Sequence, residues 1–230
     1  MLSLILFIAI IFIRYVVFSF SIESLVKLLN LEKIFNLKRK TNQKRKEIIL
    51  SAYSSIIFGI FFYYMFFLWE QEKINILTEE KSAWYHFLSI SAALMFHETY
   101  YYWLHRLMHY KKIYKYIHKG HHDSVEVSSW TAFAFDPLET FFQVLPLYII
   151  IQFIPLHLYS VLFLLIVMSL SATINHLNRE IYPMFFRKYF PFNLFIGATH
   201  HALHHKEFKT NYGLYFTFWD KIMKTESRNY

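Results

Sequence analysis

The chain has 230 residues, of which 56% are hydrophobic and 21% aromatic, while only 17% are charged. This composition is unusual for a soluble domain, so burial in a membrane is the first interpretation. The formal charge of +8 does not indicate nucleic acid, because the basic residues concentrate beside apolar runs, where the positive-inside bias and anionic lipids explain them better. Since the sequence has no cysteine, a metal ion would have to be held by histidine or carboxylate side chains.

Residues 1–83 are predicted to form two N-terminal membrane spans and their loops. Residues 2–20 are almost entirely apolar and lack the basic leader and the cleavage site of a signal peptide, so we expect a retained span. A loop rich in lysine and arginine follows at residues 38–46 and is predicted to stay in the cytosol. The second span is predicted at residues 48–69, and its acidic exit loop is predicted to lie outside.

Three further apolar segments follow in the second part of the chain. A third span is predicted to begin near Trp84 and to end at the basic stretch 106–119. The segments 138–153 and 156–171 are separated by only two residues and predict a helical hairpin. Each is near the lower limit of about 17 residues for a span, so re-entrant insertion is an open alternative. Residues 175–230 are mixed polar and aromatic and are predicted to form a cytosolic cap.

Eight of the 13 histidines fall in three short groups. The spacing is i,i+4 in the first group and i,i+3,i+4 in the other two, which predicts that each group occupies one helical face. The eight residues are His105, His109, His118, His121, His122, His201, His204 and His205. Eight imidazoles exceed what one tetrahedral or octahedral ion needs, so two metal ions are predicted. No group has the Glu-x-x-His form of soluble carboxylate-bound di-iron bundles.

The three groups resemble the histidine boxes of the fatty acid hydroxylase/sterol desaturase superfamily, which follow the same order and spacing. Three neighbouring segments are also similar to that family: the acidic, aromatic lead-in 97–106, the segment 130–139 and the closing segment 211–220. The resemblance covers about residues 84–225, the predicted catalytic domain. Together with the predicted spans, it gives an all-α, multi-pass membrane fold of four to five membrane helices, with a cytosolic helical cap that carries a His-rich dimetal site.

The resemblance implies that the eight box histidines ligate metal and that His176, which follows the last span, is a ninth ligand. Where some members of the family have another histidine, this chain has Glu180, which would either bind metal through oxygen or face solvent. His200 is four residues before His204 and is a candidate for metal binding or for orienting a ligand.

Four more residues near the boxes are candidates for binding the metal or supporting its ligands. Glu98 lies two helical turns before His105, where it would accept an imidazole N–H and fix the tautomer of a ligand, or else pair with a basic residue at the membrane interface. Asp123 directly follows the second box and is a similar candidate. Asp136 stands where many relatives have histidine, and His97 begins the aromatic lead-in.

The activity implied by the resemblance is that of a membrane-bound di-iron oxygenase. Two Fe ions would use O2 as co-substrate and two electrons to hydroxylate or desaturate a C–H bond of a lipid, and zinc can replace the iron in a purified sample. The sequence has no Gly-rich nucleotide fingerprint or haem-binding extension, so we expect a separate electron donor, a cytochrome or a ferredoxin with its reductase. The Ile-, Lys- and Phe-rich composition favours a bacterial plasma membrane over the endoplasmic reticulum, with the boxes on the cytosolic side.

Two other classes of membrane protein stay open. A zinc-dependent hydrolase would use the same imidazole ligands, although a glutamate base is usual within its histidine motif and these boxes contain none. A protein that binds or transports metal would carry polar residues along its spans, whereas here they concentrate at the predicted cytosolic ends.

Overall fold

The computed structural model describes residues 2–230, which form five long helices with several short helices at one end. The long helices are α1 (Leu2–Leu28), α2 (Gln43–Glu70), α3 (Ala83–Met108), α6 (Pro137–Phe153) and α7 (Leu158–Asn175). The short helices are α4 (Tyr114–Ile117), α5 (Lys119–His122), α8 (Phe185–Lys188), α9 (Ala198–Glu207) and α10 (Phe218–Ile222), with 3-10 helices at Ser129–Phe133 and Phe192–Leu194. The strands described, β1 (Ile76–Leu77) and β2 (Leu156–His157), have two residues each. The predicted all-helical fold is confirmed.

Three helices, α1, α2 and α7, are long and apolar enough to cross a membrane, which identifies an integral membrane protein. α6 is apolar but has only 17 residues. α3 has 26 residues, but its second half carries His97, Glu98 and the first histidine box. The number of crossing helices, predicted as four to five, therefore stays a prediction, as does the re-entrant alternative for α6 and α7.

Polar contacts extend the helices beyond the apolar runs that predicted them. α1 continues past residue 20 to Leu28, where Glu23 and Lys27 form an i,i+4 ion pair of 2.9 Å on its surface. α2 begins at Gln43, five residues before the predicted start, and the Gln43 amide donates a hydrogen bond to the buried Glu47 carboxylate (2.8 Å). α7 reaches Asn175, whose side-chain amide donates to the carbonyl of Leu214 (2.8 Å). Helix ends depend on such partners as well as on apolar length.

The α6–α7 hairpin fixes which end of the molecule carries the histidine groups. Its turn contains β2, which pairs in parallel with β1 from the α2–α3 loop. The packed core beside this turn includes Leu68, Ala93 and Ile150. The hairpin turn and the acidic loop therefore share one end of the bundle, and the histidine boxes lie at the other end of α3 and α7.

Two buried carboxylates hold the closing segment 211–216 against the histidine end of the bundle. Asp220 accepts the backbone N–H groups of Tyr212 and Gly213, each at 2.9 Å. Glu98 accepts the N–H of Tyr215 at 2.7 Å. Both carboxylates are fully buried, so these bonds form in a low-dielectric environment where they fix the backbone strongly.

Candidate metal centre

The nine histidines predicted as ligands meet in two adjacent groups. Site A contains His105, His109, His118, His122 and His204, and site B contains His121, His176, His201 and His205. Within each site, one ring nitrogen per residue lies within 4.8 Å of every other. Eight of the nine side chains are buried, and His109 is partly exposed.

The second and third histidine boxes are each divided between the two sites, contrary to the expectation of one face per box. In the third box, His201 and His205 belong to site B while His204 belongs to site A. The second box is divided in the opposite way: only the middle histidine, His121, belongs to site B. In both boxes the first and last histidines, at i and i+4, share one site, and the histidine at i+3 belongs to the other.

Backbone carbonyls fix the tautomer of four histidines. A carbonyl oxygen only accepts hydrogen bonds, so the Nδ1 atom beside it must carry the proton and Nε2 must carry a lone pair. The Nδ1-to-carbonyl contacts are His105 to Tyr212 (2.9 Å), His121 to Ala134 (3.2 Å), His176 to Ala172 (2.7 Å) and His204 to Thr210 (2.7 Å).

Inside both sites, the Nε2 atoms of neighbouring histidines lie close together. In site B, Nε2 of His176 lies 3.1 Å from Nε2 of His121 and 2.9 Å from Nε2 of His201. In site A, Nε2 of His109 lies 3.1 Å from Nε2 of His204 and 3.2 Å from Nε2 of His122. His121 and His176 both hold their proton on Nδ1, so no hydrogen lies between their Nε2 atoms and the lone pairs repel.

Such separations fit metal coordination. With metal–nitrogen bonds of about 2.1 Å, neighbouring ligands of an octahedral ion lie roughly 3.0 Å apart and those of a tetrahedral ion roughly 3.4 Å. The observed spacings are nearer the octahedral value. Converging neutral imidazoles are the donor set that a divalent transition-metal ion binds, so these two groups are a candidate metal site.

Burial keeps the site histidines neutral. Desolvation lowers the pKa of His121 to about 4. Desolvation, with a smaller contribution from neighbouring histidines, holds the pKa values of His201, His204 and His205 well below their ordinary value. The imidazoles are therefore unprotonated at neutral pH, which is the form that binds metal.

Glu139 is a further residue of the centre that the sequence pattern did not single out. It lies in the first turn of α6, and its Oε1 is 2.9 Å from Nδ1 of His118. Both side chains are only 1% exposed. A carboxylate at this position orients the ring and increases the basicity of the nitrogen on its other side. The available signal was one acidic residue at the start of an otherwise apolar helix.

Three of the other predicted candidates lie beside the sites without joining them. Nδ1 of His97 is 2.8 Å from the hydroxyl of Tyr215. Glu98 binds backbone N–H groups of the closing segment where the sequence predicted an imidazole partner. His200 is fully buried, with Nε2 3.6 Å from Asp220, and desolvation lowers its pKa to about 3.

The acidic candidates Asp123 and Glu180 also differ from expectation, because each has a basic partner nearby. Asp123 is partly exposed and forms an ion pair of 3.0 Å with Lys119, so it does not accept an imidazole N–H. Glu180 is neither a ligand of the two sites nor turned to solvent. It accepts the backbone N–H of Thr199 (3.0 Å) and pairs with Arg187 (3.2 Å).

Asp136 is not among the residues of the two sites, but it holds in place α5, the short helix that carries His121 and His122. Its carboxylate accepts the backbone N–H of Gly120 at 2.7 Å, and Gly120 immediately precedes His121 and His122 in α5. A Cβ atom at Gly120 would lie 2.7 Å from Cγ of Asp136, which is too close for ordinary contact. This close approach requires glycine, and it ties α5 to the start of α6.

A cavity lined mainly by apolar side chains reaches site B from the membrane helices. His176 lines it, together with apolar side chains of α1, α2, α6 and α7 such as Phe18, Phe58, Leu147 and Leu165. Besides His176, its polar lining residues are Arg14, Tyr15, His97, Tyr101, Gln143, Ser169 and Thr173. Its predominantly apolar lining is that of a site for an apolar ligand.

Comparison with known proteins gives consistent matches. Residues 90–225 match the sequence profile of the fatty acid hydroxylase family. Lathosterol oxidase of Homo sapiens is 38% identical over 136 residues, which cover 59% of this chain and 44% of that protein. Methylsterol monooxygenase 1 of Rattus norvegicus is 37% identical over 150 residues, covering 64% and 50%.

A Delta(7)-sterol 5(6)-desaturase of Gibberella zeae is 32% identical over 158 residues, which cover 67% of this chain and 47% of that protein. The chain thus spans about half the length of the curated relatives it matches. No solved structure matches it.

Proposed function

Because this chain belongs to the fatty acid hydroxylase family, we propose that it is a membrane-bound di-iron oxygenase that hydroxylates or desaturates a C–H bond of a lipid. The observation that carries the proposal is the pair of adjacent, buried imidazole groups, in which the Nε2 lone pairs of His121 and His176 face each other without a proton between them. The apolar cavity that ends at His176 supplies the space for a hydrocarbon next to these groups.

Iron is the metal proposed for both sites, with the five histidines of site A holding one ion and the four of site B the other. Imidazole also suits zinc and copper, so the ligands alone do not select iron. Iron is favoured over zinc because the relatives are named as an oxidase, a desaturase and a monooxygenase, redox activities that zinc does not support. Bound iron would supply O2 activation and accept the electrons that the reaction consumes.

The protein's own residues would position the metals and keep water from them. Carbonyls fix the Nδ1 proton on His105, His121, His176 and His204, which directs each Nε2 to the interior. The histidines would hold ions and not act as general bases, because the Nε2 lone pair that would accept a proton would be bound to metal. The cavity lining excludes water, which protects the reacting carbon from competing reactions.

The histidine end is proposed to face the cytosol. The basic loop 38–46 lies at this end, since Lys40 pairs with Asp123 beside the second box at 3.4 Å. Positive charge beside spans favours the cytosolic side. We further propose that two electrons come from a separate donor protein, a cytochrome or a ferredoxin with its reductase. A bacterial plasma membrane stays our prediction from composition, although the three relatives compared come from eukaryotes.

The proposal is tested by purifying the protein anaerobically, measuring its metal content, and then adding O2, a reductase system and a membrane lipid extract. We expect about two iron ions per chain and O2-dependent formation of a hydroxylated or desaturated lipid. The double variant His105→Ala, His176→Ala removes one ligand from each site, and should lose the site B ion and abolish formation of the product. A preparation that folds, contains zinc but no iron after anaerobic iron loading, and consumes no O2 would contradict the proposal.

A further inference from the structure

Arg14 is a charged residue in the middle of α1, a helix that is otherwise apolar for its first 20 residues. Its guanidinium lines the cavity that leads to site B. Nη1 donates a hydrogen bond to the hydroxyl of Ser169 on α7, and the group lies 4.9 Å from the ring centroid of Phe133. Arg14 is thus held at the cavity wall by two neighbouring elements.

The charge of Arg14 is not neutralised by the residues that the structure describes. Within residues 2–230, no Asp or Glu forms an ion pair with it, and its buried Nε has no hydrogen-bond partner. A buried cation without a counter-charge is costly, so ionisable groups inside membrane segments usually mark a ligand or ion pathway. The guanidinium offers donors in a planar fork that matches a carboxylate.

The position of Arg14 relative to site B defines the orientation of a bound ligand. Ser169, Thr173 and His176 follow one face of α7 at i, i+4 and i+7 and all line the cavity. Seven residues of helix correspond to about 10 Å along the axis. The cation and the histidine site therefore lie at separate places along one cavity, and Ala172 and Thr173 of α7 line the part between them.

We propose that this cavity binds a lipid acid whose carboxylate pairs with Arg14 and whose hydrocarbon chain leads to site B. The proposal rests on the proposed function for its chemical outcome, because only an active centre would oxidise the chain. Its binding part stands on the uncompensated guanidinium. A single cation beside one hydroxyl suits one carboxylate group, and the carbon next to site B would lie several methylene groups from that carboxylate.

Binding of radiolabelled palmitate and hexadecanol to the iron-loaded protein, in neutral phosphatidylcholine nanodiscs at pH 8 without O2, tests the inference. The two probes have the same chain and differ in the charge of the head group. We expect palmitate to bind the unaltered protein about 10- to 100-fold more tightly than hexadecanol, as expected for a charge-assisted pair. Equal affinities for the two probes would overturn the proposal, and this comparison needs no variant.

Variants of Arg14 test whether this residue causes the preference for palmitate over hexadecanol. Arg14→Met should reduce palmitate affinity about 10- to 100-fold and leave hexadecanol affinity unchanged, while Arg14→Lys should restore part of the palmitate affinity. Arg45→Met is the matched control, because Arg45 is exposed in the first turn of α2. Unchanged palmitate affinity in a folded Arg14→Met protein with normal iron content would also overturn the proposal. Since O2 is absent, failure of the proposed oxygenase activity would not affect either result.

Discussion

Replacement of Glu139 by glutamine tests whether a buried carboxylate supports the metal site. The change keeps the size of the side chain and removes the charge that lies 2.9 Å from Nδ1 of His118. Loss of such a partner typically lowers metal affinity 10- to 100-fold, which corresponds to about 1.4 to 2.8 kcal/mol. We expect Glu139→Gln at the lower end of this range, because glutamine keeps a polar oxygen beside the ring, and Glu139→Ala at the upper end.

The assay is an anaerobic titration of metal-free protein with Fe²⁺ in competition with a chelator of known affinity. Glu47→Gln is the matched control: Glu47 is also 1% exposed, but it accepts hydrogen bonds from Arg39, Gln43 and Thr131. That control should lower the thermal unfolding temperature without changing iron affinity. Iron affinities of Glu139→Gln and Glu139→Ala within threefold of the unaltered protein would refute a supporting role for this carboxylate.

Three further predictions concern the histidine sites and the helix that joins them. His176→Ala leaves three histidines in site B and should reduce the bound iron from two ions to one. His118→Ala leaves four histidines in site A and should retain two ions. Equal losses of iron in the two variants, measured by metal analysis, would argue against the division into sites. Burial lowers the pKa of His121 from 6.5 to about 4, so between these pH values the unfolded chain binds a proton that the folded, metal-free chain does not. The unfolding temperature should therefore fall as the pH decreases from 6.5 to 4. An unfolding temperature that does not change over this range would contradict the prediction. Gly120→Ala should cost about 1 to 3 kcal/mol of stability through its clash with Asp136, and in chemical unfolding Asp136→Ala should cancel that additional loss in the double variant.

The sequence was most informative where one residue type carried the chemistry. Histidines spaced three and four residues apart predicted a two-metal arrangement, and all nine predicted ligands come together in the structure. Their division between sites was not predictable, because it depends on how α5 and α9 face each other. Spacing along a helix shows which side chains are neighbours on the surface of that helix. It does not show which surfaces of two different helices pack against each other.

The carboxylates were harder to interpret from sequence, because an acidic side chain binds whichever donor the fold brings to it. Glu98 was expected beside an imidazole and instead binds the N–H groups of Leu214 and Tyr215, more than 100 positions away in the chain. Glu180 likewise meets Arg187 and a backbone amide. Glu139 was not predicted as a site residue, because only the packing of α6 against the second box places it near His118.

The division of two histidine boxes between sites has a thermodynamic consequence. α5 and α9 each contribute ligands to both ions, so an ion bound at one site restrains the helices that must be ordered for the other. The second ion then requires less ordering and binds more tightly than it would alone, and the coupling is reciprocal. The two ions should therefore be acquired and lost cooperatively, with little population of the singly loaded protein.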